Sequence, residues 1–486
     1  MEYLLYLTIN VRNYERMKEN NMNSSLEKAF AFSNAHIDLM ERDANSIFGW
    51  RYEPSVMFER GEGVKIFDID GNEYYDLSSG MMSLPLGHAH PELSETIKSM
   101  ADKFHHQSSW YSNPWTVELA ELLVSTLPGD LNVVNFAITG SEANEIAMRM
   151  ALGYTGGFDI LSVVRGLHGG SLAAEAVTSV GGGRKRGLGP LSIPARSNCI
   201  IAPFYYRAPV EDQDEWDRIS LQLTRELIEF TTSQEVAGIM MEPMMVPGGM
   251  IVPSKKWVQG IREIADEWQA LLIFDEMQLA PSRTGKMWGF EHYGVQPDIV
   301  TFGKGISAGF ANCGTITSRE IIDECNGKKG LPWAGTYNND PLAAAVALKQ
   351  LQIVMRDDIT GHAAKHGDIL SSKLATLQNK HECIGDVRGE GLYRMLDIVT
   401  DRKSRGANPA LAERIRREAM AEGLAMIAVK NYMRICPPLI VNAAEIDDIV
   451  GRLDRAITRA LANQSDDIDF SSSSSLAAND VVRRIA

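Results

Sequence analysis

The 486-residue chain has little cysteine, no long apolar run and a shortage of positive charge. Its five cysteines, Cys199, Cys313, Cys325, Cys383 and Cys436, are isolated, odd in number and never spaced as C-x-x-C, which speaks against a disulfide framework and a zinc knuckle. They read as reduced thiols of a cytoplasmic protein. No apolar stretch reaches the roughly 18 residues that a membrane helix requires. The opening MEYLLYLTINV lacks the basic n-region and long h-region of a signal peptide. Lysine and arginine total 48 against 63 aspartates and glutamates, a net charge of −15. A field of that sign repels phosphate backbones and anionic membranes, so neither nucleic acid nor a membrane is an expected partner. A local basic pocket for a small anion is compatible with it.

Hydrophobic residues at 44% and charged residues at 23% belong to a folded globular chain with ample core. Short β-rich runs, VVNFAI (133–138), DILSVV (159–164), VAGIMM (236–241), LLIF (271–274) and DIVTFG (298–303), alternate with amphipathic helical stretches. Strands so continuously apolar are those of a parallel sheet buried on both faces, and β-α alternation argues for a doubly wound α/β sheet. From about 341 the pattern turns helix-rich, with short strands near 384–398 and 422–436, which predicts a smaller α+β domain. The expected organisation is an N-terminal extension and arm (1–60), a large domain (61–340) whose N-terminal portion contributes to the small domain, the small domain (341–462), and a disordered acidic, Ser-rich tail (463–486).

Ligands of open α/β sheets gather at the carboxyl ends of strands. Thr139, Gly140 and Ser141, in TGSEAN (139–144), follow one strand and open a helix whose free N–H groups suit a phosphate, although a plain capped turn has the same look. LLIFDEMQ (271–278) ends a buried strand on Asp275 and Glu276. A carboxylate there needs a partner: the cationic ring nitrogen of a cofactor, or an ion pair with Arg262 or Arg283. Lys304 sits between Gly303 and Gly305 after a third strand. A lysine partly desolvated at a cleft floor can form a Schiff base with an aldehyde, whereas most lysines are solvated surface groups. His168 lies in the Gly-rich turn RGLHGGS (165–171). The glycine spacing of GGGRKRGLGP (181–190) fits neither a P-loop nor G-x-G-x-x-G, so that run reads as a mobile solvated loop. His88 and His90 lack a third ligand at sensible spacing, and no metal is expected. A phosphate seat, a carboxylate for a pyridinium nitrogen and a Schiff-base lysine are together what pyridoxal 5′-phosphate (PLP) requires.

The stretch FDEMQLAPSRTGKMWGFEHYGVQPDIVTFGKGISAGF (274–310) resembles the signature of the class III, or ω-type, PLP-dependent aminotransferases of fold type I. The resemblance runs from FDIDGNEYYDLSSG (67–80) to the end of the small domain. It implies that Lys304 carries PLP as an imine, that Asp275 pairs with the ring nitrogen, and that Gly140 and Ser141 hold the phosphate. It also implies that Gln278 faces the phenolic oxygen and that Thr336 reaches the phosphate of a neighbouring subunit's cofactor, in a homodimer or dimer of dimers with shared sites. Within the class, GRKRGLGP, IIAPFYYRAP, CIGDVRGEGL and MRICPPLIV are most similar to the 2,2-dialkylglycine decarboxylase branch, and by that likeness Arg434 binds the substrate carboxylate.

Three positions depart from that branch. Leu167 stands where an aromatic residue stacks on the cofactor, Met81 where a glutamine contacts the scissile carboxylate, and LAPSRTG (279–285) where a Gly-rich stretch is usual. The substrate pocket expected from the resemblance comprises Arg434, Met81, Ser83, Trp110, Tyr111 and Leu167. Glu242 either orients this pocket or forms a structural ion pair. The run EPMMVPGG lacks the second acidic residue of some ω-amino acid aminotransferases, which favours an α-amino acid or an amine. The expected reaction moves an amino group from such a donor to an oxo acid. Decarboxylation or racemisation of an α-amino acid is the alternative, and a non-catalytic scaffold would have no need of Lys304.

Overall fold

A computed structural model describes residues 32–47, 56–180, 200–328 and 334–463. The Ser-rich tail beyond 463, the GGGRKRGLGP loop, Cys199 and most of the N-terminal extension lie outside the described residues. The chain passes first through an antiparallel meander of β1 (Phe58–Glu62), β2 (Lys65–Asp68) and β3 (Glu73–Asp76). The apolar runs then become β4 (Val133–Ala137), β5 (Asp159–Ser162), β6 (Val236–Met241), β7 (Leu271–Asp275) and β8 (Ile299–Phe302), joined by β9 (Cys313–Thr317).

These six strands form one sheet in the order β4-β9-β8-β7-β6-β5. Strands β5 to β8 run parallel, and β9 lies antiparallel between β8 and β4. Strand β4 therefore points the same way as β8, and the carboxyl ends of β4, β5, β6, β7 and β8 all open on one edge of the sheet. Side chains alternate across the sheet, so Leu272 and Phe274 enter one apolar layer with Phe302, Trp257 and Trp288, while Leu271 and Ile273 enter another. This second layer is covered by helix α1 (Gly140–Thr155), which packs against every strand of the sheet. Ala143, Ala147 and Ala151, spaced one turn apart and buried, let it lie close: a Cβ on Gly238 of β6 would stand 3.1 Å from Ala151 Cβ.

After helix α2 (Pro341–Arg356) come α3 (Ile359–Lys380), β10 (Ile384–Glu390), β11 (Tyr393–Ile398), α4 (Pro409–Ala421), β12 (Leu424–Ala425), β13 (Ile427–Val429), β14 (Tyr432–Ile435) and α5 (Ala443–Ala462). Strands β10-β11-β14-β13 form an antiparallel sheet, whereas β12 pairs in parallel with β3 and so joins the opening meander to the C-terminal part. A cluster of charge and aromatic rings fastens this part to the segment after residue 200. Asp397 of β11, fully buried, accepts from Arg207 Nη1 at 2.5 Å and Nη2 at 2.8 Å and pairs with Arg388 at 3.0 Å. Both guanidinium groups lie over the rings of Phe204, Tyr206 and Tyr432.

Candidate active site

Asp275, the last residue of β7, is only 3% exposed and forms the floor of the common strand edge. Its Oδ2 bonds His168 Nδ1 at 2.9 Å and accepts from Asn144 Nδ2 at 2.9 Å; its Oδ1 accepts from the Met277 N–H at 3.1 Å. Burial on its own would raise the pKa of this carboxyl, but the His168 hydrogen bond, the charges of His168 and Lys304 and the Met277 N–H together hold it below the usual carboxylate range. Asn144 is in turn locked from below, with Nδ2 donating to His168 O at 2.6 Å and Oδ1 accepting from Thr301 Oγ1 at 2.7 Å. Four residues, from α1, β8 and the loops after β5 and β7, thus keep one ionised carboxylate fixed in a buried site.

Lys304 follows β8 in a left-handed backbone conformation (φ 41°), and its amine has no hydrogen-bond or ion-pair partner among the described residues. The glycines on either side are dictated by packing. A Cβ on Gly303 would lie 2.5 Å from Cys313 Sγ and 2.7 Å from Met277 Sδ; one on Gly305 would lie 2.6 Å from Ala280 O. Met277 Sδ also stands 3.0 Å from where a Cβ of Gly140 would be. One thioether therefore sets the spacing between the lysine turn and the start of α1.

At that start, Thr139 is the cap and accepts from the Glu142 N–H at 3.2 Å, while the N–H groups of Gly140 and Ser141 have no partner among the described residues. Ser141 Oγ accepts from the Gly170 N–H at 3.0 Å, so the loop after β5 closes over the helix end. Among the described residues, no cluster of histidine, cysteine or carboxylate groups could hold a metal, and His88 bonds Asp76 at 2.8 Å.

Two further carboxyls are buried beside Asp275. Glu276 accepts from the N–H groups of Gly289 at 2.9 Å and Phe290 at 2.7 Å. The arginine partners considered from sequence are engaged elsewhere: Arg262 with Asp266 and Asp298, Arg283 with Pro437 O and Ser79 Oγ. Glu242, just after β6, accepts from the Leu167 N–H at 2.9 Å and from Gln278 Nε2 at 3.4 Å. Burial, reinforced by the neighbouring Asp275 charge, pushes Glu242 up to about 8; burial does the same for Glu276.

Arg434, on β14, is 8% exposed and has no carboxylate partner among the described residues; its buried Nε lacks any hydrogen bond. Met395 stands opposite it across the β11–β14 pair and belongs to an apolar wall that includes Met82, Met244, Met250 and Tyr393. Leu167 and Ser83 are half-buried. Met81, Trp110 and Tyr111 are exposed, Trp110 by 86%. Thr336 is exposed too, in a surface concavity lined by His106, Ser108, Ser109, Trp110, Ala334 and Gly335. The chain thus gathers Thr139, Gly140, Ser141, His168, Asp275, Gln278 and Lys304 at the strand ends and leaves Trp110 and Thr336 on its surface.

The class-III aminotransferase model matches residues 49–457. The chain belongs to the class-III aminotransferase family. It is 34% identical over 412 residues to acetylornithine aminotransferase of Caldanaerobacter subterraneus subsp. tengcongensis, covering 83% of this chain and 95% of that one. It is 31% identical over 414 residues to alanine–glyoxylate aminotransferase 2 homolog 2 of Arabidopsis thaliana, covering 84% of each. Among solved structures, an (S)-enantioselective ω-transaminase of Thermomicrobium roseum superposes with a TM-score of 0.83 at 29% identity, over 88% of this chain and 99% of that one. The ω-transaminase of Pseudomonas jessenii in complex with PMP does so with 0.83 at 27%, over 87% and 98%.

Class-III aminotransferases are PLP-dependent enzymes, and the residues of this family member suit that cofactor. Unpaired N–H groups at the start of a 16-residue helix suit a phosphate, an ionised buried carboxylate suits a cationic ring nitrogen, and an unpartnered amine suits an aldehyde. Asn144, Thr301 and Met277 are supports that sequence reasoning did not single out. The only available signal was that Asn144 lies inside TGSEAN on the buried stripe of its helix, one residue after Ala143.

Proposed function

We propose that this aminotransferase takes its amino group from an α-amino acid or an amine and gives it to an oxo acid, with Arg434 receiving the substrate carboxylate. PLP, when bound, supplies an electron sink for the bond broken at the donor's Cα. The N–H groups of Gly140 and Ser141, with the Thr139 turn, hold its phosphate. Asp275, kept ionised by its three donors, keeps a proton on the ring nitrogen, and His168 and Asn144 orient that carboxylate. Gln278 donates to the phenolic oxygen. The Lys304 amine, without a hydrogen-bond or ion-pair partner among the described residues, would hold the cofactor's aldehyde and, once released by the incoming amine, would be the base that moves the proton at Cα.

The observation that carries the reading is Arg434. An uncompensated buried guanidinium is costly, and a substrate carboxylate bound in bidentate geometry offsets that cost. The run EPMMVPGG after β6 carries no second acidic residue that would compete for the arginine. The names of the relatives span acetylornithine, 4-aminobutyrate, taurine and alanine as donors, so likeness alone does not choose among substrates.

The same reading includes a homodimer, or a dimer of dimers, in which Thr336 and Trp110 are covered by a second copy and Thr336 meets the other copy's phosphate. It also places the enzyme in the cytoplasm. Cys313, Cys383 and Cys436 are buried thiols outside any disulfide, in keeping with that compartment, and no helix among the described residues is long and apolar enough to cross a membrane. The second reading is decarboxylation or racemisation of an α-amino acid, supported by the likeness of IIAPFYYRAP and MRICPPLIV to the dialkylglycine decarboxylase branch and opposed by Met81.

The deciding experiment titrates the purified holoenzyme with amino acids and amines, without oxo acid, and follows the visible spectrum and released carbon dioxide together. Conversion to the pyridoxamine form without carbon dioxide establishes transamination and names the donor. Spectral change with matching carbon dioxide establishes the decarboxylating reading instead.

A further inference from the structure

The Gln278 amide is held at both ends. Tyr393 donates its hydroxyl to Oε1 at 3.0 Å, and Nε2 donates to Glu242 Oε2 at 3.4 Å. A primary amide has two N–H groups, so one N–H on Nε2 is left over. Turning the amide by half a rotation would deprive the Tyr393 proton of its acceptor. Tyr393 is fully buried within the methionine-rich wall, and burial keeps its phenol protonated well above the ordinary range, so it acts as a donor. A buried hydroxyl without an acceptor is expensive, and the observed orientation is the one that gives Tyr393 its acceptor.

Tyr393 comes from the small antiparallel sheet, and its delivery is rigid. It is the first residue of β11, directly after the β10–β11 turn, and the tip of that hairpin is pressed onto the loop that follows Gln278. The Leu392 N–H donates to Arg283 O at 3.1 Å. Gly391, at φ 54°, has room for no side chain, since a Cβ there would lie 2.5 Å from the Thr284 carbonyl carbon and 2.6 Å from Arg283 O.

We propose that Tyr393 is a positioning residue for the cofactor's phenolic oxygen: it fixes the Gln278 amide so that the remaining N–H serves that oxygen, and it ties this donor to the docking of the β10–β11 hairpin. The inference rests on the reading that Gln278 faces the phenolic oxygen. The hydroxyl of Tyr393 is thus an electronic control supplied by the domain that does not carry Lys304.

The test compares the parent holoenzyme with Tyr393→Phe, Gln278→Ala and the double variant, without substrate, by recording the absorbance of bound PLP across pH. A donor on the phenolic oxygen favours its anionic form. Both single variants should therefore move the spectral midpoint upward, with Tyr393→Phe changing the ratio of absorbing forms at fixed pH about three- to tenfold, the range for one neutral hydrogen bond. Tyr393→Phe should add nothing in the Gln278→Ala background. Tyr393→Met, matching the surrounding methionines, is the second variant and should behave as Phe does. If Gln278→Ala moves the midpoint and neither Tyr393 variant does, the proposal fails and the reading of Gln278 stands. If Gln278→Ala leaves the midpoint in place, both fail. A Tyr393 shift of undiminished size in the double variant overturns the proposal, because it would reflect packing and not the amide.

Discussion

Replacing Asn144 by leucine, a side chain of similar size, removes three hydrogen bonds from beneath Asp275. One goes to Asp275 Oδ2, one to His168 O, and one comes from Thr301 Oγ1. The first involves a charged acceptor and is worth about 1.5–3 kcal/mol, the other two about 0.5–1.5 kcal/mol each, for a loss of about 2.5–6 kcal/mol. Burying the leucine returns about 1.5–3 kcal/mol. At the midpoints of these ranges the net destabilisation is about 2 kcal/mol. Asp275 keeps His168 and the Met277 N–H, so the carboxylate survives with a raised pKa and a looser aim. PLP retention should fall about tenfold to a hundredfold, the share of the charge-assisted bond.

Equilibrium dialysis of the holoenzyme, with released PLP quantified, and the thermal midpoint of the apoprotein read the two effects separately. Asn144→Asp should retain less PLP still, because it sets a second carboxylate against Asp275 where a donor now stands 2.9 Å away. An Asn144→Leu protein that holds PLP and melts like its parent would refute the account of the buried network.

Arg434→Met should raise KM for a carboxylate-bearing donor about tenfold to a hundredfold, leave an amine donor unaffected, and keep or raise the thermal midpoint, since a buried unpaired charge is removed. Steady-state kinetics with a matched amino acid and amine check the first two effects, and thermal denaturation the third. Stability should decline as pH rises from about 5 to 8. Glu242 and Glu276, pushed up to about 8, favour the folded state fully below the unfolded carboxyl pKa near 4.3 and lose that advantage as they ionise, at about 1.4 kcal/mol per pH unit for each group. Asp275, held low, works in the opposite sense and loses its contribution only in acid; a thermal midpoint that does not fall between pH 6 and 8 contradicts the two glutamate assignments. Asp397→Ala leaves Arg207 and Arg388 without their common carboxylate and should cost about 3–5 kcal/mol, seen as a lowered thermal midpoint and faster limited proteolysis.

The parallel strands were legible because each is a nearly continuous apolar run, a pattern that few other elements produce. Lys304, Asp275 and the Thr139–Ser141 turn were legible for a related reason: once the strands are placed, the residue after each must lie on the same edge. Strand β9, CGTIT, was missed because an antiparallel strand inside a parallel sheet carries no distinctive period, and β1 to β3 are short and mixed in polarity. The arginine alternative left open for Asp275 and Glu276 is not realised, and the two loop N–H groups that hold Glu276, those of Gly289 and Phe290, cannot be read from sequence. Asn144 was invisible as a support because its partners lie 24, 131 and 157 residues away. Met277 is buried in the apolar layer under α1, and only the closeness of Gly140 and Gly303 to its sulfur shows that it also spaces two loops of the site.

The two ends of the site differ in how much of them one chain supplies. At the Asp275 end, Asn144, Thr301 and Asp275 are buried and hydrogen-bonded within the chain, and His168 is held through its Nδ1, so little has to be reorganised when a cation arrives. At the other end, Trp110, Tyr111 and Met81 are largely exposed, and Thr336 lies beside Trp110 in an open concavity. Large apolar side chains at such exposure are costly in isolation and are favoured where a second surface covers them. That asymmetry supports the proposed homodimer. In that proposed dimer the network around Asp275 would be internal to each subunit, while the wall that decides which Cα bond is aligned for cleavage would be completed between subunits. It also gives a physical reason for variation in donor among aminotransferases of this family, since the exposed rim can change without disturbing the buried hydrogen bonds that hold Asp275.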